Sequence, residues 1–83
     1  MNRKKIRNFF KLGNKELIKE GVSKIYFTEE EKRIIRCLIE ENSDIEISLK
    51  LNYSLKTLQR RKKKIYDKTY NSLKEWDKLK GLI

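Results

Sequence analysis

Seven of the residues in the stretch 54–68 are cationic, Lys56, Arg60, Arg61, Lys62, Lys63, Lys64 and Lys68, against a single acid, Asp67. Such side chains do no covalent chemistry by themselves. They donate hydrogen bonds and charge to phosphates, Arg60 or Lys63 can donate to guanine O6 and N7, and Gln59 among them can bond adenine. Covalent catalysis has little to work with here. Histidine is absent from the 83 residues, which removes the usual general base. Cys37 is the only cysteine, so neither an intrachain disulfide nor a cysteine/histidine zinc cluster can be assembled. Glu40 and Glu41 are adjacent, and on a helix they would point about 100° apart, too far round to act as one catalytic pair. The expectation is a binding protein rather than an enzyme, with no metal and no cofactor.

The cations need an element to hold them in a row. Ser54 can cap a helix, and behind it Leu58 and Ile65, seven apart, mark the buried side. Lys56, Thr57, Gln59, Arg60, Lys63 and Lys64 are left for the open side. A helix over residues 54–68 is a rod of roughly 20 Å at about 1.5 Å per residue, slim enough for a major groove about 12 Å wide. Upstream, Thr28-Glu29-Glu30-Glu31 has capping-box spacing, and Ile34, Ile35, Leu38 and Ile39 follow with helical period. Cys37 lies beside that face and reads as a packing residue. Ser43-Asp44-Ile45-Glu46 repeats the box, so a second, short helix carrying Ile47 and Leu51 starts almost at once. Asn52 tolerates the left-handed backbone that ends it. Two helices joined through Leu51-Asn52-Tyr53-Ser54, the later one crowded with lysine and arginine, have the layout of a helix-turn-helix.

Charge is segregated along the chain. Residues 1–26 carry 8 basic and 2 acidic groups, residues 27–53 carry 4 and 7, and residues 54–83 carry 10 and 3, so that net charges of +6, −3 and +7 make up the total of +10. A domain that offers one helix to a polyanion and turns another away has this pattern. The longest apolar run, Ile25-Tyr26-Phe27, is far short of a membrane span, which takes about 20 residues. A soluble, cytoplasmic protein with no membrane partner is expected, and one free cysteine suits a reducing compartment.

From Phe27-Thr28 to Lys68 the residues resemble the LuxR/GerE type of helix-turn-helix DNA-binding domain, over about half of the chain. Thr28-Glu29-Glu30-Glu31 with the isoleucine run resembles that family's first helix. Ser43-Asp44-Ile45-Glu46-Ile47-Ser48 and the following Leu51, Asn52, Tyr53 and Ser54 resemble its second helix and turn. Lys56-Thr57-Leu58 with Arg61, Ile65 and Tyr66 resembles its recognition helix. The resemblance implies a sequence-specific transcription regulator partnered by double-stranded DNA. Gln59, Arg60 and Lys63 would read base edges, Ser54, Lys56, Thr57, Lys62 and Lys64 would lie on phosphates, and Glu46 would brace the two helices. Asn52 stands where the family commonly has glycine, Ser48 where it has alanine, and Arg61 where it often has histidine. The same helices resemble region four of bacterial sigma factors, which leaves open an adaptor that contacts RNA polymerase through the acidic first helix.

Both flanks read as helical. After Asp67 the spacing of Tyr70, Leu73, Trp76, Leu79 and Ile83 predicts a fourth helix with an apolar stripe. Tyr66 and Tyr70 would close the core, while Leu73, Trp76, Leu79 and Ile83 would either extend that closure or pair across a two-fold axis in a homodimer. Residues 1–26 divide at Gly13-Asn14 into two short helices, the first bearing Arg3, Lys4, Lys5, Arg7 and Lys11. It reads either as an arm along phosphates, as a basic amphipathic surface for a membrane or an acidic protein, or as a packing extension whose aromatics cover the core. Ile25, Tyr26 and Phe27 would pack on the three-helix unit. The fold expected is an all-α small bundle: a basic helical extension, 1–26, and a helix-turn-helix domain with a C-terminal fourth helix, 27–83.

Overall fold

A computed structural model describes the backbone of residues 2–12 and 15–76 and, within its first helix, the side chains of residues 6–11. The described chain is all-α. Its helices are α1, Asn2–Leu12; α2, Lys15–Ser23; α3, Glu29–Ile39; α4, Asp44–Leu51; and α5, Leu55–Leu73.

Three caps set the boundaries of the last three helices. Thr28 Oγ1 accepts from the Glu31 N–H at 3.2 Å, while the Thr28 N–H donates to Glu31 Oε1 at 2.9 Å. Ser43 and Glu46 repeat this reciprocal pair at 3.2 and 2.7 Å, and Ser54 Oγ accepts from the Thr57 N–H at 3.1 Å. These bonds satisfy N–H groups that the first turn of a helix leaves without partners. The opposite ends of α3 and α4 close alike. The Asn42 N–H reaches back to Cys37 O and the Tyr53 N–H to Ser48 O, around the left-handed residues Glu41 and Asn52. Asn52 thus takes the backbone conformation expected of it.

One core joins all five helices. Ile34 and Ile35 of α3, Ile47 of α4, and Leu58 and Ile65 of α5 are buried as their spacing predicts. The extension is part of this core rather than an appendage: Ile6, Phe9 and Phe10 of α1 and Ile18 of α2 are buried in it. Phe10 stacks on Tyr66 with centroids 5.7 Å apart, and Phe9 meets Trp76 edge-on at 6.2 Å. Each such aromatic pair adds about 0.5–1.5 kcal/mol beyond burial. The division at residue 26 therefore does not separate two packing units.

The predicted fourth helix is not a separate element within the described residues. Residues beyond Asp67 continue α5 without a break as far as Leu73, because no glycine or proline interrupts them and the buried Thr69 satisfies its hydroxyl by donating to Ile65 O at 2.7 Å. Leu73 is 2 % exposed and lies in the protomer's own core, and Trp76 packs on Phe9. Leu73 and Trp76 thus close this core, and Leu73 has no surface left for a dimer contact. Leu79 and Ile83 lie outside the described residues. Tyr26 corrects another expectation: it is 82 % exposed, while its neighbours Ile25 and Phe27 turn inward.

Candidate nucleic-acid interface

At about 100° per residue, Lys56, Gln59, Arg60, Lys63 and Lys64 fall within an arc of about 140° on α5, opposite Leu58 and Ile65. All five are exposed. Lys56, Arg60, Lys63 and Lys64 form no ion pair with any described acid. The result is a row of unneutralised donors along the first three turns of α5, ending at Asp67.

The other cations of this segment have different work. Lys62 is only 13 % exposed in its side chain and donates to Asp44 Oδ1 at 2.8 Å, with its ammonium 5.8 Å from the Tyr66 ring centroid. It is therefore not a free phosphate ligand, contrary to the sequence expectation. Arg61 pairs with Glu30 and lies over Tyr53 at 5.3 Å, and Lys68 pairs with Glu31 at 2.7 Å and lies over Phe27. These bonds fasten α5 to α3 and α4 and fix which side of the helix faces outward. Ser54 and Thr57 sit at the start of α5, where the Ser54 hydroxyl donates to Thr57 Oγ1 at 2.9 Å.

Asp44, the first residue of α4, is the hub that the sequence did not disclose. Its Oδ2 accepts from Gln59 Nε2 at 2.6 Å while its Oδ1 holds Lys62. Partial burial pushes its carboxyl up, but the hydrogen bonds from Lys62 and Gln59 outweigh this and hold it below the ordinary aspartate value. The same contest, won by Lys68 and the Thr28 cap, holds Glu31 low. Glu46 does not brace the two helices. Exposed, it completes the capping box of its own helix, and Asp44 makes the link between them. The only sequence signal for Asp44 was its place in the first turn, where any acid favours the helix dipole.

Burial raises the Cys37 thiol and the Tyr66 phenol above their ordinary values. No cluster of potential metal ligands occurs among the described residues, nor is any described helix long and apolar enough to cross a membrane. The acidic start of α3 is engaged internally, Glu30 with Arg61 and Glu31 with Lys68.

Comparison with protein-family models, with characterised proteins and with solved structures finds no match to this chain.

Proposed function

We propose that the chain is a sequence-specific binder of double-stranded DNA that acts as a transcription regulator, laying the outward face of α5 in the major groove. The row Lys56, Gln59, Arg60, Lys63 and Lys64 carries this reading. It joins positive charge that has no ion pair among the described residues, which phosphates attract through counterion release, with side chains whose donors match guanine and adenine edges. The α4–turn–α5 layout, with Ser54 capping α5, supports the same docking, as does the resemblance of residues 27–68 to LuxR/GerE-type domains. An RNA-polymerase adaptor would use the acidic start of α3, whose Glu30 and Glu31 already hold α5.

The test is duplex binding followed by fluorescence anisotropy across a salt series, with random duplexes set against sites selected from a random pool. The reading expects affinity to fall steeply with salt, by a logarithmic slope of about −0.9 per phosphate neutralised, and selected sites to bind more tightly than random ones. A shallow slope without preference would reject it. The spacing of half-sites in the selected pool would also reveal whether two copies bind together.

A further inference from the structure

A second cationic surface lies between α2 and α3. Lys15 and Lys19 stand one turn apart on α2, and Lys32 and Arg36 stand one turn apart on α3. Together they rim a groove of about 500 Å³. All four are exposed. Within the described residues Lys15, Lys19 and Arg36 have no ion pair, and Lys32 has only a long contact of 3.6 Å with Glu29. Glu40 at one end is the single acid in the lining, whose net charge is therefore +3. The floor is apolar, built from Val22, Ile35 and Ile39, and Ile35 is 3 % exposed.

This surface is not the α5 face extended. Glu30, which ties α3 to Arg61 of α5, and Lys32, on the groove rim, stand about 160° apart around α3. A straight duplex on α5 does not reach both. Nor does a phosphate backbone use an apolar floor. A flat bilayer would meet the rim cations but leave the recessed Ile35 untouched, since inserting side chains would have to come from the protein. What satisfies both the rim and the floor is a ligand with protruding apolar side chains flanked by carboxylates. A groove between two helices of nine and eleven residues accepts such a ligand as a helix of three to four turns, in the helix-in-groove mode.

We infer that the α2–α3 groove is a docking surface for an acidic amphipathic helix of another protein, its apolar stripe over Val22, Ile35 and Ile39 and its carboxylates against Lys15, Lys19, Lys32 and Arg36. Because it uses a different face, this stands whether or not α5 reads DNA.

The probe is a synthetic fifteen-residue helical peptide with leucines at three- and four-residue spacing flanked by glutamates, titrated into the ¹⁵N-labelled full chain. Its expected mark is amide shifts confined to α2 and α3, with binding at least fivefold weaker when the glutamates are glutamines. The double variant Lys19→Gln, Arg36→Gln should weaken the glutamate peptide at least fivefold while its circular dichroism and thermal midpoint match those of the parent, both side chains being exposed. Equal binding of the two peptides, shifts centred on α5, or indifference to the double variant would overturn the inference. So would anionic phospholipid vesicles or a random duplex shifting the groove amides at lower concentration than the peptide does, which would make the surface a membrane or nucleic-acid contact.

Discussion

Gln59 donates through Nε2 to Oδ2 of Asp44 at 2.6 Å, so one hydrogen of its amide is committed while the other, with Oε1, has no hydrogen-bond partner among the described residues. An adenine edge asks for that remaining pair, an acceptor for N6–H and a donor for N7. In the proposed DNA complex Asp44 would hold the Gln59 amide for reading, at the cost of placing a carboxylate near the phosphates. Asp44→Ala should act in two directions: tighter binding to random duplex, because a repulsive charge is gone, and poorer discrimination at the base pair that Gln59 reads. Gln59→Ala sets the limit of that second effect, about 1–3 kcal/mol for a bidentate contact. Competition between duplexes differing at one base pair measures both. If Asp44→Ala left discrimination intact, the clamp would be structural only.

Lys64 and Gln59 share the exposed face of α5, yet their losses should look different. Lys64→Ala removes charge alone, so affinity for every duplex should fall together and the logarithmic salt slope should become shallower by about 0.9. Gln59→Ala should leave the slope unchanged and alter the order of preferred sequences. The same salt series run on both variants separates the two behaviours.

Local spacing made most of the fold readable and long-range geometry hid the rest. Thr28 with Glu31, Ser43 with Glu46, and Ser54 with Thr57 are contacts three residues apart, and each formed as its spacing required. Asp44 with Lys62 is a pair eighteen residues apart; the spacing of Lys62 from Leu58 and Ile65 puts it on their side of the helix, but nothing local names Asp44 as its partner. The spacing of Tyr70, Leu73 and Trp76 signalled helix beyond Asp67, but no residue there can stop a helix, so the chain continues α5 as far as Leu73 instead of starting a new one. Phe9 and Phe10 gave an apolar signal on α1, but whether they would meet Tyr66 and Trp76 depends on how the bundle closes.

Gly21 occupies the tightest corner of that closure. A Cβ added there would stand 2.8 Å from Phe9 Cζ, 2.9 Å from Trp76 Cζ3 and 3.1 Å from Leu73 Cδ1. Alanine is the better helix former by about 1 kcal/mol, but overpacking of this kind costs about 1–3 kcal/mol, and three crowded neighbours leave little room to relax. Gly21→Ala should lower the thermal midpoint, by about 4–8 °C for each net kcal/mol in a chain of this size. Adding Trp76→Leu should recover part of the loss, a coupling that a double-mutant cycle would detect.

Acid should loosen α5 from its supports. Glu31 and Asp44 both have folded-state pKa values below their ordinary ones, held down against partial burial by Lys68 with Thr28 and by Lys62 with Gln59. The native state therefore binds fewer protons than the unfolded chain in this range, and stability rises with pH. The contribution is complete above the unfolded carboxyl values of about 3.9 to 4.3 and fades as pH falls through the lower folded ones. Thermal midpoints should change little between neutrality and about pH 5 and then drop. In Glu31→Gln the drop should be shallower. Parallel curves for parent and variant would mean that other carboxylates govern acid sensitivity.

Glu41 carries the clearest opportunity to stabilise the chain. It has φ 63°, in the left-handed region, and joins α3 to α4 where the Asn42 N–H reaches Cys37 O. A residue with a Cβ in that conformation is disfavoured by about 1–2 kcal/mol, with asparagine among the tolerated exceptions. Asn52 fills the equivalent place after α4 at φ 60°, so the chain meets the same backbone requirement once with a suitable residue and once without. Glycine at 41 would remove the Cβ penalty while adding about 0.5–1 kcal/mol of chain entropy lost on folding. Glu41→Gly should therefore gain up to about 1.5 kcal/mol, whereas Asn52→Gly should change stability much less. Denaturant unfolding of both variants gives the comparison, and a loss of stability in Glu41→Gly would mean that the glutamate side chain contributes more than its backbone strain removes.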